Sequence, residues 1–258
     1  MKKVFIFLIL INFLIFNLIS YAQADNGPPA ELVTSTQTKE YTIQPGNDIS
    51  SSSPGTATVS ESGSITFYGD EINVNKGETL IIEGDGLRIP KSNKLELTDK
   101  TTGKKTILEK VQDGKIFKDK SFKLNKVGSL KQGTTTIING NGVTFKNGKL
   151  TAEHADSFIK DNSIATNVNN LGLQADIFSV KSADSFLSGN IRVDGITDSE
   201  FKVNENKVEI TTGSDVSLRI TDASFNQVEF QGKGKVTIDK NDLLCGLKPR
   251  SIPSREIQ

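Results

Sequence analysis

The single imidazole of the chain, His154, stands between Glu153 and Asp156, and a ring beside two carboxylates is the minimum equipment of a general base. With no second histidine, neither a His-based triad nor a multi-His zinc site can be assembled within one chain. A solvated strand or loop histidine accounts for the same residue without any chemistry. Carboxylates are plentiful, and glycoside hydrolysis needs only two of them across a groove. Asp176, Asp184 and Asp198 form the remaining carboxylate set, but they are scattered single residues rather than clustered pairs. No EF-hand spacing occurs. The stretch Asn139-Gly140-Asn141-Gly142-Val143-Thr144-Phe145 is similar to a glycine-rich calcium nonapeptide, yet Thr144 stands where that repeat has Asp, and Asn-Gly turns explain it better. The expectation is therefore of no catalytic, cofactor-binding or metal-binding residue.

Composition narrows the classes further. Lys+Arg and Asp+Glu are 31 each, so no bulk field would gather nucleic acid or anionic lipid. Trp is absent and Tyr numbers 3, which disfavours a sugar-stacking platform. Lysines between Lys100 and Lys131 are interleaved with acids and read as a solvated face.

The N-terminus carries an address. Lys2 and Lys3 precede an apolar run from Val4 to Ile19, and Ala22 and Ala24 put small side chains where a signal peptidase accepts them. Cleavage before Asp25 is expected, leaving a secreted or surface-held chain with no stable membrane span. The lone Cys245 has no internal partner, and its neighbours Leu243, Leu244 and Leu247 favour a small buried hydrophobe. No Asn-x-Ser/Thr acceptor is present.

The elements that must carry any site are strands. Residues 25–55, broken by Pro28, Pro29, Pro45 and the run Ser50–Gly55, read as a flexible linker. From Thr56 the chain turns to short alternating apolar runs: Thr56–Ser60, Ser64–Tyr68, Glu71–Asn75, Thr79–Glu83, Gly86–Ile89 and Lys94–Thr98. Ala152–Asp161 is the best helical candidate, although its neighbours favour strand. Turn chemistry predicts hairpins at Asn147-Gly148, pairing Phe145 with Leu150 and Val143 with Ala152, and at Glu205-Asn206, pairing Val203 with Val208 and Phe201 with Ile210. A third, around Gly232-Lys233-Gly234, would pair Phe230 with Val236. The domain is placed at 56–245, with 246–258 as an irregular tail.

About twenty short strands exceed an ordinary sandwich. A degenerate phrase recurs at Asp119–Phe122, Asp156–Phe158, Asp184–Phe186, Asp198–Phe201 and Asp222–Phe225. Its 28-residue step from Phe158 to Phe186 suits one three-strand coil. With these corners and the phrase Ile72–Ile82, the chain resembles exported right-handed parallel β-helix proteins. The resemblance implies an all-β right-handed parallel solenoid; tandem antiparallel β-sandwiches are the alternative. That group includes adhesins, surface-layer and fibre components, and polysaccharide lyases and hydrolases. The expected function is a non-catalytic structural or adhesive module binding a cell-envelope or extracellular polymer. A polysaccharide-degrading enzyme or a glycan-binding β protein is the alternative. Terminal coils also invite end-to-end self-association.

Overall fold

The fold was read from a computed structural model that describes residues 39–204 and 206–240. The signal segment with Ala22 and Ala24, the first part of the linker, Cys245 and the tail 246–258 lie outside the described residues. All described regular structure is β, with no helix. Five short strands, β1 Lys39–Ile43, β2 Gly55–Val59, β3 Gly63–Phe67, β4 Asp70–Val74 and β5 Thr79–Ile82, precede eight long ones. These are β6 Gly86–Asp99, β7 Lys105–Phe117, β8 Phe122–Gln132, β9 Thr135–Lys146, β10 Lys149–Lys160, β11 Ser163–Gln174, β12 Ile177–Ser188 and β13 Ile191–Val203. Four more follow: β14 Lys207–Thr212, β15 Val216–Thr221, β16 Gln227–Gly232 and β17 Lys235–Asp239.

The long strands form an antiparallel meander in which each pairs with the next. Among the described residues, only the β1–β2 ladder and the Asp48–Thr66 bridge run parallel. The expected stack of parallel coils is thus replaced by a stack of hairpins. The reason is local: Asn147-Gly148, Asp161-Asn162 and Ala175-Asp176 leave two residues between neighbouring strands, a distance that closes an antiparallel pair and no parallel one. Asn147, Asp161 and Asn162 hold the left-handed backbone such tight turns require.

Each long strand also folds back on itself. Phe178 and Phe186 lie eight residues apart on β12, about 26 Å on an extended strand, yet their ring centroids are 5.7 Å apart. Buried positions show where the bend falls. In β10 they are Leu150, Ala152, Ala155, Phe158 and Lys160; in β11, Ser163, Ala165, Val168, Leu171 and Leu173. Steps of two within each arm give way to two steps of three at the middle, so an inward residue there is followed by two outward ones. Left-handed backbone sits at the bends of alternate strands: Lys110 and Asp113, Asn139 and Gly142, Asn167 and Asn170, Gly195 and Asp198. Asn and Gly dominate because they reach this region at least cost.

The consequence is one continuous sheet doubled over along a line of bends, here called the spine, with its two halves packed face to face. In sheet I, β1, β2 and β5 continue from the first arm of β6, and β14 and β17 from the second arm of β13. In sheet II, β3 and β4 continue from the second arm of β6, and β15 and β16 from the first arm of β13. Small side chains, among them Val127, Gly140, Ala155, Val168 and Ala183, fill the inside of the spine, where the two sheets converge. Phe158 and Phe186 from sheet II meet Phe178 and Phe201 from sheet I between the layers.

Several expectations are met and others move. Phe145 pairs with Leu150, Val203 with Val208 and Phe201 with Ile210. Of the helical candidate Ala152–Asp161, all but Asp161 falls in strand β10, and Asp161 opens the turn that follows. The runs Gly86–Ile89 and Lys94–Thr98 are two arms of β6, bent between Pro90 and Asn93. Phe230 pairs with Leu218 and Val236 with Ile210, not with each other, because Gly232–Gly234 carries the chain from sheet II to sheet I. Within the expected linker, Lys39–Ile43 is a strand and Ile43 and Ile49 are buried, so this part of 25–55 packs with the β structure. The 28-residue step is one hairpin of two bent strands, and the Asp-Ser-Phe phrases occupy different places. Asp156 and Asp184 sit at equivalent bends, whereas Asp119 and Asp222 lie in loops.

Candidate functional site

Register continuity turns the spine into a regular surface. The pairings Lys91–Gln112, Gln112–Lys126, Lys126–Asn141, Asn141–His154, His154–Asn169, Asn169–Ser182 and Ser182–Thr197 put one outward side chain per strand in a single row. Strand separation repeats these groups about every 4.8 Å. Every residue in the row is polar, as a solvent-facing row at a tight bend requires.

His154 stands in the middle of the row. Its Nδ1 lies 3.0 Å from Asn169 Oδ1 and its Nε2 3.3 Å from Asp156 Oδ1. Asn169 Nδ2 in turn donates to Ser182 Oγ at 3.1 Å. Both partners are acceptor oxygens and the neutral ring carries one N–H, so the tautomer decides which of the two contacts is the hydrogen bond. Asp156 does meet His154, as its spacing suggested, but Asn139 Nδ2 also donates to it at 2.8 Å. The Asn139 amide first, and the imidazole second, hold the Asp156 carboxyl below its ordinary range.

Carboxylate and amide pairing repeats along the bends beside this row. Asn125 Nδ2 donates to Asp113 Oδ2 at 2.6 Å, and Asn167 Nδ2 reaches both oxygens of Asp184 at 3.1 Å. Arg88 Nε adds a charged bond of 2.8 Å to Asp113. The sequence Asn139–Gly142 forms the bend of β9 instead of a hairpin turn: its glycine at 142 has φ +57, and the side chain of Glu153 covers the space a Cβ would take. Beside the spine on sheet I lie two shallow depressions of about 390 and 500 Å³ that share Asn170 and Ser179. Thr144, Thr151, Gly172 and Ser179 line the first, and Glu200 and Thr211 extend the second.

The three aspartates set apart in the sequence are not brought together. Asp184 faces Asn167, Asp198 accepts from Ser214 Oγ at 3.3 Å, and Asp176 lies in a turn at the opposite, open side of the sandwich. There Asp176 joins a group that sequence reasoning missed. Lys160, with only 9% of its side chain exposed, places Nζ 2.7 Å from Asp161 and 3.6 Å from Asp176. Lys160 first, then Thr134, pulls the Asp161 carboxyl down, while burial pushes Lys240 down. Asp161, Asp176 and Lys240 line an open cleft of about 940 Å³. The signal available in the sequence was the Asp161-Asn162 turn, 28 residues from both Gly133-Thr134 and Gly189-Asn190.

Among the described residues, no group of three or more His, Cys, Asp or Glu side chains is placed to hold a metal ion, and no helix is long and apolar enough to cross a membrane. Comparison with family models, with curated proteins and with solved structures found no match.

Proposed function

We propose that this chain is an exported, non-catalytic structural or adhesive module whose polar spine lies against a cell-envelope or extracellular polymer. The observation that carries the reading is the row from Lys91 to Thr197: eight strands presenting hydrogen-bonding groups at one repeated spacing. An extended polymer meets such a surface with many weak contacts in register, and the hydrogen-bonded sheet beneath keeps the groups from rearranging. The resemblance to exported solenoid proteins survives at the level of a repeating β scaffold, with a hairpin as the repeat unit. Export itself rests on the leader ending at Ala22-Gln23-Ala24.

The test is co-sedimentation of residues 25–258 with insoluble peptidoglycan and with insoluble extracellular polysaccharide. Asn141→Ala, His154→Ala, Asn169→Ala and Ser182→Ala are compared singly and together. Each single exchange is expected to weaken binding by less than about tenfold, since one hydrogen bond contributes ~1 kcal/mol net. The fourfold variant should lose it. Abolition by one exchange alone, or full binding by a folded fourfold variant, contradicts the distributed surface. Export is checked separately by the N-terminal residue of the released protein, expected to be Asp25.

A further inference from the structure

A second site lies on the other side of the molecule, between the sheets at their open edge. Phe67, Ile72 and Leu97 from sheet II and Phe117, Phe122 and Phe145 from sheet I surround a part-enclosed cavity of about 100 Å³. Phe122 and Phe145 are stacked, with ring centroids 5.4 Å apart and planes at 23°. Lys120, in the turn between β7 and β8, reaches across to sheet II, its Nζ 2.8 Å from Asp70 Oδ1 and 3.5 Å from Asp99 Oδ1. That ammonium ties the two rows of turns together above the cavity. Asp70 Oδ1 itself is buried, while the two side chains of the pair keep 39% and 19% of their surface exposed, so the tie sits at the boundary between the cavity and solvent.

We propose that this cavity binds an uncharged aromatic ring. Three observations carry the assignment. The volume approaches that of engineered cavities of about 150 Å³ that stay dry and take up benzene. Four phenylalanines, from both sheets, line the space, so a planar guest would meet aromatic rings on either side. Charge at the mouth cancels, since Lys104 and Lys120 stand against Asp70 and Asp99, so no net field selects an anion or a cation. Lys104 Nζ lies 5.9 Å from the Phe145 centroid and lends the mouth a cation facing a ring. The inference is independent of the polymer reading, because the cavity shares no residue with the spine.

Toluene is the probe. Residues 25–258 are titrated with it while the methyl resonances of Ile72, Leu97 and Ile116 are followed, with Ile164 and Leu187, exposed on the outer face of sheet II, as references. Saturable shifts confined to the first three methyls are expected. Leu97→Phe, which fills the space, should remove them while the rest of the spectrum is kept. Leu97→Ala, which enlarges it, should tighten binding severalfold, and this second variant decides the matter if the first fails to fold. No saturable shift, equal shifts at Ile164 and Leu187, or unchanged binding in either folded variant overturns the assignment.

Discussion

Phe178 and Phe201 face each other across the β12–β13 ladder, their ring centroids 4.8 Å apart and their planes within 3° of parallel. The same Phe178 ring also reaches Phe158 and Phe186 on the other sheet, so one side chain joins a cross-strand pair to the contact between layers. Loss of that ring removes both at once. Phe178→Ala is expected to destabilise the fold by about 3–5 kcal/mol, the usual range for a fully buried phenylalanine. Phe178→Leu, which retains most of the buried volume, should cost much less. Denaturant unfolding followed by circular dichroism measures both, and equal costs would argue against the aromatic cluster as the centre of the core.

The bends make a different demand, on backbone rather than on packing. Asn167 has φ +49 at the bend of β11, a region that β-branched residues enter only with strain. Asn167→Val is therefore expected to cost about 1–2 kcal/mol from the backbone alone, with the lost bonds to Asp184 added. Asn167→Gly loses the same bonds without the strain and should be the milder change. Comparing the two unfolding midpoints separates conformation from hydrogen bonding.

That backbone demand also explains how much of the architecture the sequence disclosed. Period-two alternation located the strands, and Asn147-Gly148 with the Val203–Val208 parity gave two hairpins in correct register. What alternation hides is the bend. In β10 the inward positions Ala152, Ala155 and Phe158 are three apart, so the run can be read as a helical face or as two short strands. Read so, Gly86–Ile89 and Lys94–Thr98 become separate strands, the strand number swells, and parallel coils look necessary. The repeated steps of two, three, three and two were present throughout, but only pairing partners reveal that the threes are bends. For the site, His154 and Asp156 were visible as neighbours, whereas the row joining His154 to Asn141 and Asn169 needs three strands in register. Lys160 drew no notice because a lysine at the end of an apolar strand is ordinarily exposed.

Lys160 itself yields a double comparison. Its ammonium is nearly buried, while Asp161 and Asp176 are 42% and 77% exposed. Lys160→Met replaces a desolvated charge with an apolar chain of similar length and leaves two carboxylates that water can reach. Stability should change by less than about 1 kcal/mol, or rise. The pair Asp161→Asn and Asp176→Asn instead strands the ammonium in the core. Breaking a buried pair costs ~3–5 kcal/mol, and exposure of the carboxylates reduces the expected loss to about 2 kcal/mol. Thermal unfolding of the two variants should move in this order, and the reverse order would show the lysine to be stabilising in its own right.

Acid should loosen the open side of the sandwich through Asp99. The Thr102 hydroxyl first, and the Thr101 amide next, hold its carboxyl down at about 2, from an ordinary 3.8, with Lys120 adding to the effect. A carboxyl depressed in the folded state gives a contribution that is fully present above the unfolded value and is lost as pH falls through the folded one. The window is therefore between about pH 4 and pH 2. Carbon-detected titration of the Asp99 carboxyl should give a midpoint near 2, and Thr102→Val should move it upward. Asp99→Asn should flatten the fall of the unfolding midpoint across the same window, because the neutral amide cannot lose a charge there. If the slope is unchanged in Asp99→Asn, the acid sensitivity of this side belongs to other carboxylates, of which Asp119, lowered first by the Ser121 hydroxyl, is the next to replace.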